Sequence, residues 1–133
     1  MSVEPQFAAR IARAAFNAAL RFFQPSPEWI IKLEPRTIEE EETPGQCWTR
    51  QDYFLAQIVY DPAQCEDGAE VWRVIGHEVA HLLSSEYIVL EQHLPERYHG
   101  LCTHASERLT TRLERLFLRH YPYPGDAKFK KGA

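Results

Sequence analysis

No stretch of roughly 18 or more apolar residues exists in the chain, so no segment of it is expected to span a membrane as a helix. The basic, apolar and small-residue succession of a secretory leader is also missing near its start, and the expected setting is a soluble, cytoplasmic protein. Cysteine is scarce: Cys47, Cys65 and Cys102 are odd in number, widely spaced and form no C-x-x-C pair. That excludes a disulfide framework and a cysteine zinc module as organising devices. Nor is there a surplus of positive charge, the net value being −4, which gives no global pull towards nucleic acid or an anionic membrane. Repeats and low-complexity tracts are absent too. What remains is 133 residues with 44% hydrophobic content, enough for one domain around one core.

The first pattern is an alanine-rich amphipathic helix from Pro5 to Phe23. Phe7, Ile11, Ala14, Ala18 and Phe22 lie on one face, and Arg10, Arg13, Asn17 and Arg21 form a narrow polar stripe opposite. Pro25 and Pro27 stop it. Trp29 to Leu33 reads as a strand, Cys47 to Gln51 as a short one and Phe54 to Tyr60 as a stronger one closed by Asp61-Pro62. Between the first two lies the acidic run Glu39 to Glu42, read as a solvated loop because like charges repel. A helix from Ala69 to Ser84 follows, then an irregular stretch to Gly100. A last helix runs from Leu101 to Arg119, with Leu109, Leu113, Leu116 and Phe117 as its core stripe and His104, Glu107, Thr111 and Glu114 on another face. The expected class is α+β, a small, mainly antiparallel sheet packed against three helices, with one domain over 1–120 and a flexible or draped tail over 121–133.

Within the Ala69 to Ser84 helix stands Gly76-His77-Glu78-Val79-Ala80-His81, an H-E-x-x-H pentapeptide. With 6 His in the chain, chance placement yields this pattern on the order of 0.03 times. Imidazoles four residues apart on a helix fall within about 40° of each other, close enough to reach one metal ion. Glu78 projects about 100° from His77, where it can polarise a metal-bound water without ligating the metal. The other side of the wheel is apolar through Val71, Trp72, Ile75, Val79, Leu82 and Leu83, whereas Val74 shares the histidine side. Two histidines and a glutamate interrupting so apolar a segment would be costly without a partner.

A catalytic zinc takes three protein ligands and leaves a position for water, so one ligand is still to be found. The metzincin continuation fails, because Ser84 and Tyr87 stand where glycine and histidine would be required. Glu107, 26 residues beyond His81 on a helix that can share a core with the metal helix, is the expected third ligand, with Thr111 one turn later to steady it. His99, His104 and Glu114 are the alternatives.

The strand Ala56-Gln-Ile-Val-Tyr-Asp-Pro, the His77-Glu78-x-x-His81-Leu-Leu helix and the later Ser106-Glu107-Arg-Leu-Thr-Thr-Arg-Leu-Glu-Arg-Leu-Phe helix together resemble compact zincins with a glutamate third ligand. These include the ImmA/IrrE-type metallopeptidases and small zincin-like proteins of phages and prophages. The resemblance covers Phe54 to Leu118. It implies His77, His81 and Glu107 as ligands of one zinc ion per chain and Glu78 as catalytic base. No recognisable DNA-binding or sensory module of the ImmA/IrrE kind accompanies it. Tyr98-His99-Gly100 is similar to the His-Gly that supplies a third histidine in SprT-like metalloproteases, the second family to which the motif points.

The expected activity is zinc-dependent peptide hydrolysis through a metal-activated water, with Glu78 as general base. Tyr87, Tyr98, His99 and His104 are the candidates for an oxyanion donor. A peptide or protein substrate would pair in extended form along Phe54 to Tyr60, were that strand at the sheet edge. A chain this small leaves specificity to a protein partner. The alternative is a zincin-like metal-binding interaction or assembly module without turnover, against which the retained Glu78 argues.

Overall fold

The computed structural model describes residues 2–85 and 93–131. Helix α1, Pro5–Phe23, begins where the Glu4 carboxylate accepts hydrogen bonds from the amides of Gln6 and Phe7, with Pro5 in the first turn, where its missing N–H costs nothing. It ends at Gln24, whose left-handed backbone (φ 47°) returns its N–H to the Leu20 carbonyl. Ala8, Ala12, Ala15 and Ala19 are buried along it, and such small side chains let a second helix lie close.

That second helix is α2, Gly68–Ser84, capped at its start by Asp67, whose carboxylate accepts from the Glu70 amide at 2.8 Å. It packs against α1, against the sheet and against the last helix, α3, His99–His120. Val71, Ile75 and Val79 are fully buried on it and Trp72 and Leu82 nearly so, as the apolar arc predicts. Val74 is buried as well, at 2% exposure, so the histidine side is not simply open to solvent.

Strands β1 (Ile30–Pro35), β2 (Gly45–Arg50) and β3 (Leu55–Tyr60) form one sheet in the order β1-β3-β2. The β1/β3 pair is parallel, Ile30 opposite Leu55, and the β2/β3 pair antiparallel, Gly45 opposite Tyr60. The α+β class is observed, with a mixed sheet. The order corrects one expectation: β3 is the central strand, and its main chain is paired on both sides, so no peptide can pair along Phe54 to Tyr60. The long apolar run of β3 is explained by this place, since Ala56, Ile58, Val59 and Tyr60 are all buried. The strand edge left unpaired beside α2 among the described residues is that of β2.

A second correction concerns α3. Leu116 is 48% exposed, and the buried line is Cys102, Ser106, Thr110 and Phe117. Phe117 sets this rotation by seating its ring on Gly76, where a Cβ would stand 2.5 Å from two of its ring carbons. The segment after α3 is draped over the core. Tyr121 accepts a hydrogen bond from Trp72 Nε1 through its carbonyl, and Phe129, 7% exposed, stacks on Tyr123. No helix among the described residues is long and apolar enough to cross a membrane.

Candidate metal centre

The i, i+4 spacing does on α2 what it promises. The His77 and His81 rings stand edge to face with centroids 4.8 Å apart, and one ligand atom from each of His77, Glu78 and His81 lies within 4.8 Å of the others. Among the described residues this is the group of His, Cys, Asp and Glu side chains placed to hold a metal ion. It lines a cleft of about 500 Å³, walled on one side by β2 and the residues leading into it, Thr43 to Thr49, and on the other by α2 from Arg73 onwards and its C-terminal cap Ser85.

Helix α3 supports the two histidines from behind. Thr110, fully buried, donates its hydroxyl proton to the Ser106 carbonyl at 2.8 Å. Its oxygen is thereby left to accept from Nδ1 of His81, 3.4 Å away, and it also lies 2.7 Å from the Ser84 hydroxyl. An Nδ1–H tautomer leaves Nε2 of His81 with a free lone pair, the form a metal requires. At the next rung Nδ1 of His77 is buried 3.2 Å from Oε1 of Glu114, an ion-pair distance but out of line for a hydrogen bond. The same Glu114 oxygen accepts from Arg73 Nη1 at 3.0 Å.

The electrostatics follow from burial and these contacts. Burial pushes Glu78 up to about 7; the His77 charge opposes this and the Glu107 charge adds to it. The Glu114 contact raises His77 against the effect of its burial. Burial, then the neighbouring His77 charge, lowers His81, which favours the neutral ligand form. For Glu114 burial acts upwards, but the contacts with His77 and Arg73 outweigh it and hold the carboxyl below its ordinary range. Cys47, on the cleft wall, is driven up to about 12 by burial and by the Glu78 charge and stays a thiol.

These residues fit a metal. Two imidazoles converge beside the Glu78 carboxylate, and the Nδ1–H tautomer of His81, the one from which Thr110 can accept, would leave its Nε2 to a metal. Glu107 is exposed on α3, one turn before Thr110; its charge acts on Glu78 and His81, and it makes no ion pair among the described residues. His104 is exposed, six residues and about 9 Å along the helix axis from the Thr110 rung. His99, at the start of α3, is about 16 Å along that axis and has Nε2 3.0 Å from the Leu94 carbonyl. None of Glu107, His104 and His99 joins the cluster. Tyr98 is 39% exposed with the Arg97 guanidinium over its ring, and Tyr87 lies outside the described residues.

The partner steadying a site residue is Thr110, not Thr111, and it steadies His81. A hydroxyl facing an apolar helix at the right offset is visible in the sequence only once the α2/α3 register is known. Gly45 also escaped the sequence reading. A Cβ there would meet Val74 Cγ1 at 2.5 Å and Glu78 Cγ at 3.0 Å, so β2 can lie directly over the Glu78 side chain only with glycine at this position. Arg73, four residues before His77, carried a signal in its helical spacing and pairs with Glu114. No family model, no curated protein and no solved structure matches the chain.

Proposed function

We propose that the chain is a zinc-dependent metallopeptidase that hydrolyses peptide bonds in the cleft between β2 and α2, akin to the compact zincins with a glutamate ligand. The observation that carries this reading is the convergence of His77, Glu78 and His81 within 4.8 Å in an open cleft. His77 and His81 would hold the ion, with Glu107, an exposed carboxylate on the facing helix α3 that makes no ion pair among the described residues, as the third ligand. Zinc so held supplies a Lewis acid that activates a water and polarises the scissile carbonyl.

The chain's own groups do the rest. Glu78, buried beneath Gly45 with a carboxyl near pKa 7, accepts a proton from the attacking water and returns it to the leaving amine. Thr110 and Glu114 orient the two imidazoles from their far sides. The unpaired edge of β2, Gly45 to Arg50, aligns an extended peptide by main-chain hydrogen bonds over Glu78.

The test joins metal analysis to turnover. Purified, zinc-supplied protein should carry one zinc per chain, lost in His77→Ala and His81→Ala, and should cleave a broad peptide library. Glu78→Gln should keep the zinc and lose the cleavage. Bound zinc with no cleavage by the natural chain would instead make it a binding module, and no bound zinc at all would sink the metal reading. Glu107→Ala separates the third ligand: intact zinc affinity there, with loss in Glu114→Ala, would move the role to Glu114.

A further inference from the structure

The outward face of the sheet is covered at Val59, which is 0% exposed, and open towards the Ile30 and Leu55 end. Ile31, Leu33, Cys47, Ala56 and Ile58 point into the protein, whereas the alternate residues point away from the helices. Register sets these outward side chains in rows: Ile30 beside Leu55 beside Arg50, and Lys32 beside Gln57 beside Trp48. They enclose a shallow groove of about 390 Å³ on the open face. Ile30 is 56% exposed and Trp48 44%, and Tyr53, beneath the Arg50 guanidinium, is exposed as well. A contiguous apolar surface of this kind marks an interaction site more often than a scatter of single exposed residues does.

The charges say what kind. Lys32 and Arg50 line the groove and no acid does. The acid nearest in register, Glu34 on the same face of β1, is engaged by Arg36 and Gln57. Lys32 forms no ion pair among the described residues, and Arg50 does no more than lie over the Tyr53 ring at 5.1 Å. The aromatic faces are not bare: the Arg36 guanidinium covers Trp48 at 4.9 Å. Stacking of nucleic-acid bases needs uncovered rings. An aliphatic floor flanked by unneutralised cations instead suits an apolar side chain with carboxylates on either side.

We propose that the open sheet face is a docking site for an acidic segment of a partner protein, with an apolar side chain seated between Ile30 and Leu55 and carboxylates against Lys32 and Arg50. The site is on the other side of the sheet from Glu78 and does not depend on the hydrolytic reading. Trp48, at the β2 edge, borders both the groove and the metal cleft, so a docked chain lies close to the cleft mouth.

The test is an amide-resolved NMR titration of the full chain with a short peptide carrying a central Leu-Phe flanked by Asp and Glu. Shifts should be confined to Ile30 to Lys32, Arg50 and Leu55 to Gln57, and the Kd should rise about tenfold or more in the Lys32→Glu, Arg50→Glu double variant. It should also rise when salt is increased from about 0.05 to about 0.3 M. Zinc content and thermal midpoint of the variant should equal those of the natural chain; should charge reversal perturb folding, Lys32→Gln with Arg50→Gln carries the same test. The proposal is overturned by no shifts at about 1 mM peptide or by affinity unchanged in the double variant. It is likewise overturned if an oligothymidylate gives the same shifts at lower concentration, or if those shifts follow protein concentration alone, which would mean a second copy of the chain.

Discussion

Along α2, the side buried in the core shared with α1 carries Val71, Ile75 and Val79, each at 0% exposure, whereas the side bounded by α3 and β2 carries Arg73, His77, Glu78 and His81. The first side is held by area removed from water and needs only the right volumes. The second is held by rungs: Ser84 with Thr110, Thr110 with His81, Glu114 with His77 and Arg73. Glu78 is kept 7% exposed by the glycine above it, with no hydrogen-bond partner for its carboxylate among the described residues. A helix tied down on its apolar side can carry poorly satisfied polar groups on the other, and such groups are available to a ligand. Change on the first side should therefore be felt as lost folding, and change on the second as lost chemistry.

The largest effect should come from the chemical side. Glu78→Gln should lower peptide hydrolysis by about 10²–10⁴-fold, with the urea midpoint and zinc content unchanged, in a turnover assay run beside an unfolding curve. On the core side, Ile75→Ala should cost about 2–5 kcal/mol of stability by urea denaturation, while the chains that remain folded bind zinc as before. Loss of zinc affinity per folded chain in that variant would break the comparison.

Gly76→Ala tests the seam between the two. The added Cβ lies 2.5 Å from the Phe117 ring, and overpacking should cost about 1–3 kcal/mol and loosen the α3 rungs, read as lower thermal stability with weaker zinc binding. A smaller, pH-dependent effect belongs to His77 and Glu114 in the zinc-free chain. The Glu114 carboxyl is lowered from 4.5, so its contribution is present above that value and lost as pH falls through its folded pKa. His77 is raised from 6.5, so its contribution is full below that value and lost as pH rises through its folded pKa. Glu114→Gln should therefore cost most between pH 4.5 and 6.5, by about 1 kcal/mol or less, and progressively less above that window. A stability difference flat in pH would show that the pair does not titrate together. Last, Leu116→Ala should change stability by no more than about 0.5 kcal/mol, because the side chain is exposed on α3 away from both sides of α2.

Much of the local structure was legible. The boundaries of α1 coincide with those expected from its apolar period, because Pro5 and Pro25 fix them by removing N–H donors and restricting φ. Strand positions came within a residue or two, from β-branched and aromatic runs closed by turn residues. The rotation of α3 was misread because Leu109, Leu113 and Leu116 outweigh Cys102, Ser106 and Thr110 on any hydrophobic scale. What turned the helix was a polar seam and a ring seated on Gly76, neither of which such a scale can weigh. The condition attached to Phe54–Tyr60, a place at the sheet edge, is not met for a related reason: a strand's sequence records how buried it is, not which neighbours pair with it.

By itself, the sequence determined the pairing of His77 with His81 and the offset of Glu78, because helical geometry over four residues is set by covalent structure and hydrogen bonding alone. It also determined that the helix carrying them would be buried on its other side. The tertiary structure alone decided which strand roofs the cleft, why residue 45 is glycine, and which residues of α3 stand behind each imidazole. Those choices depend on register between elements distant in sequence, and register is selected by the packing of whole surfaces, which no local pattern contains.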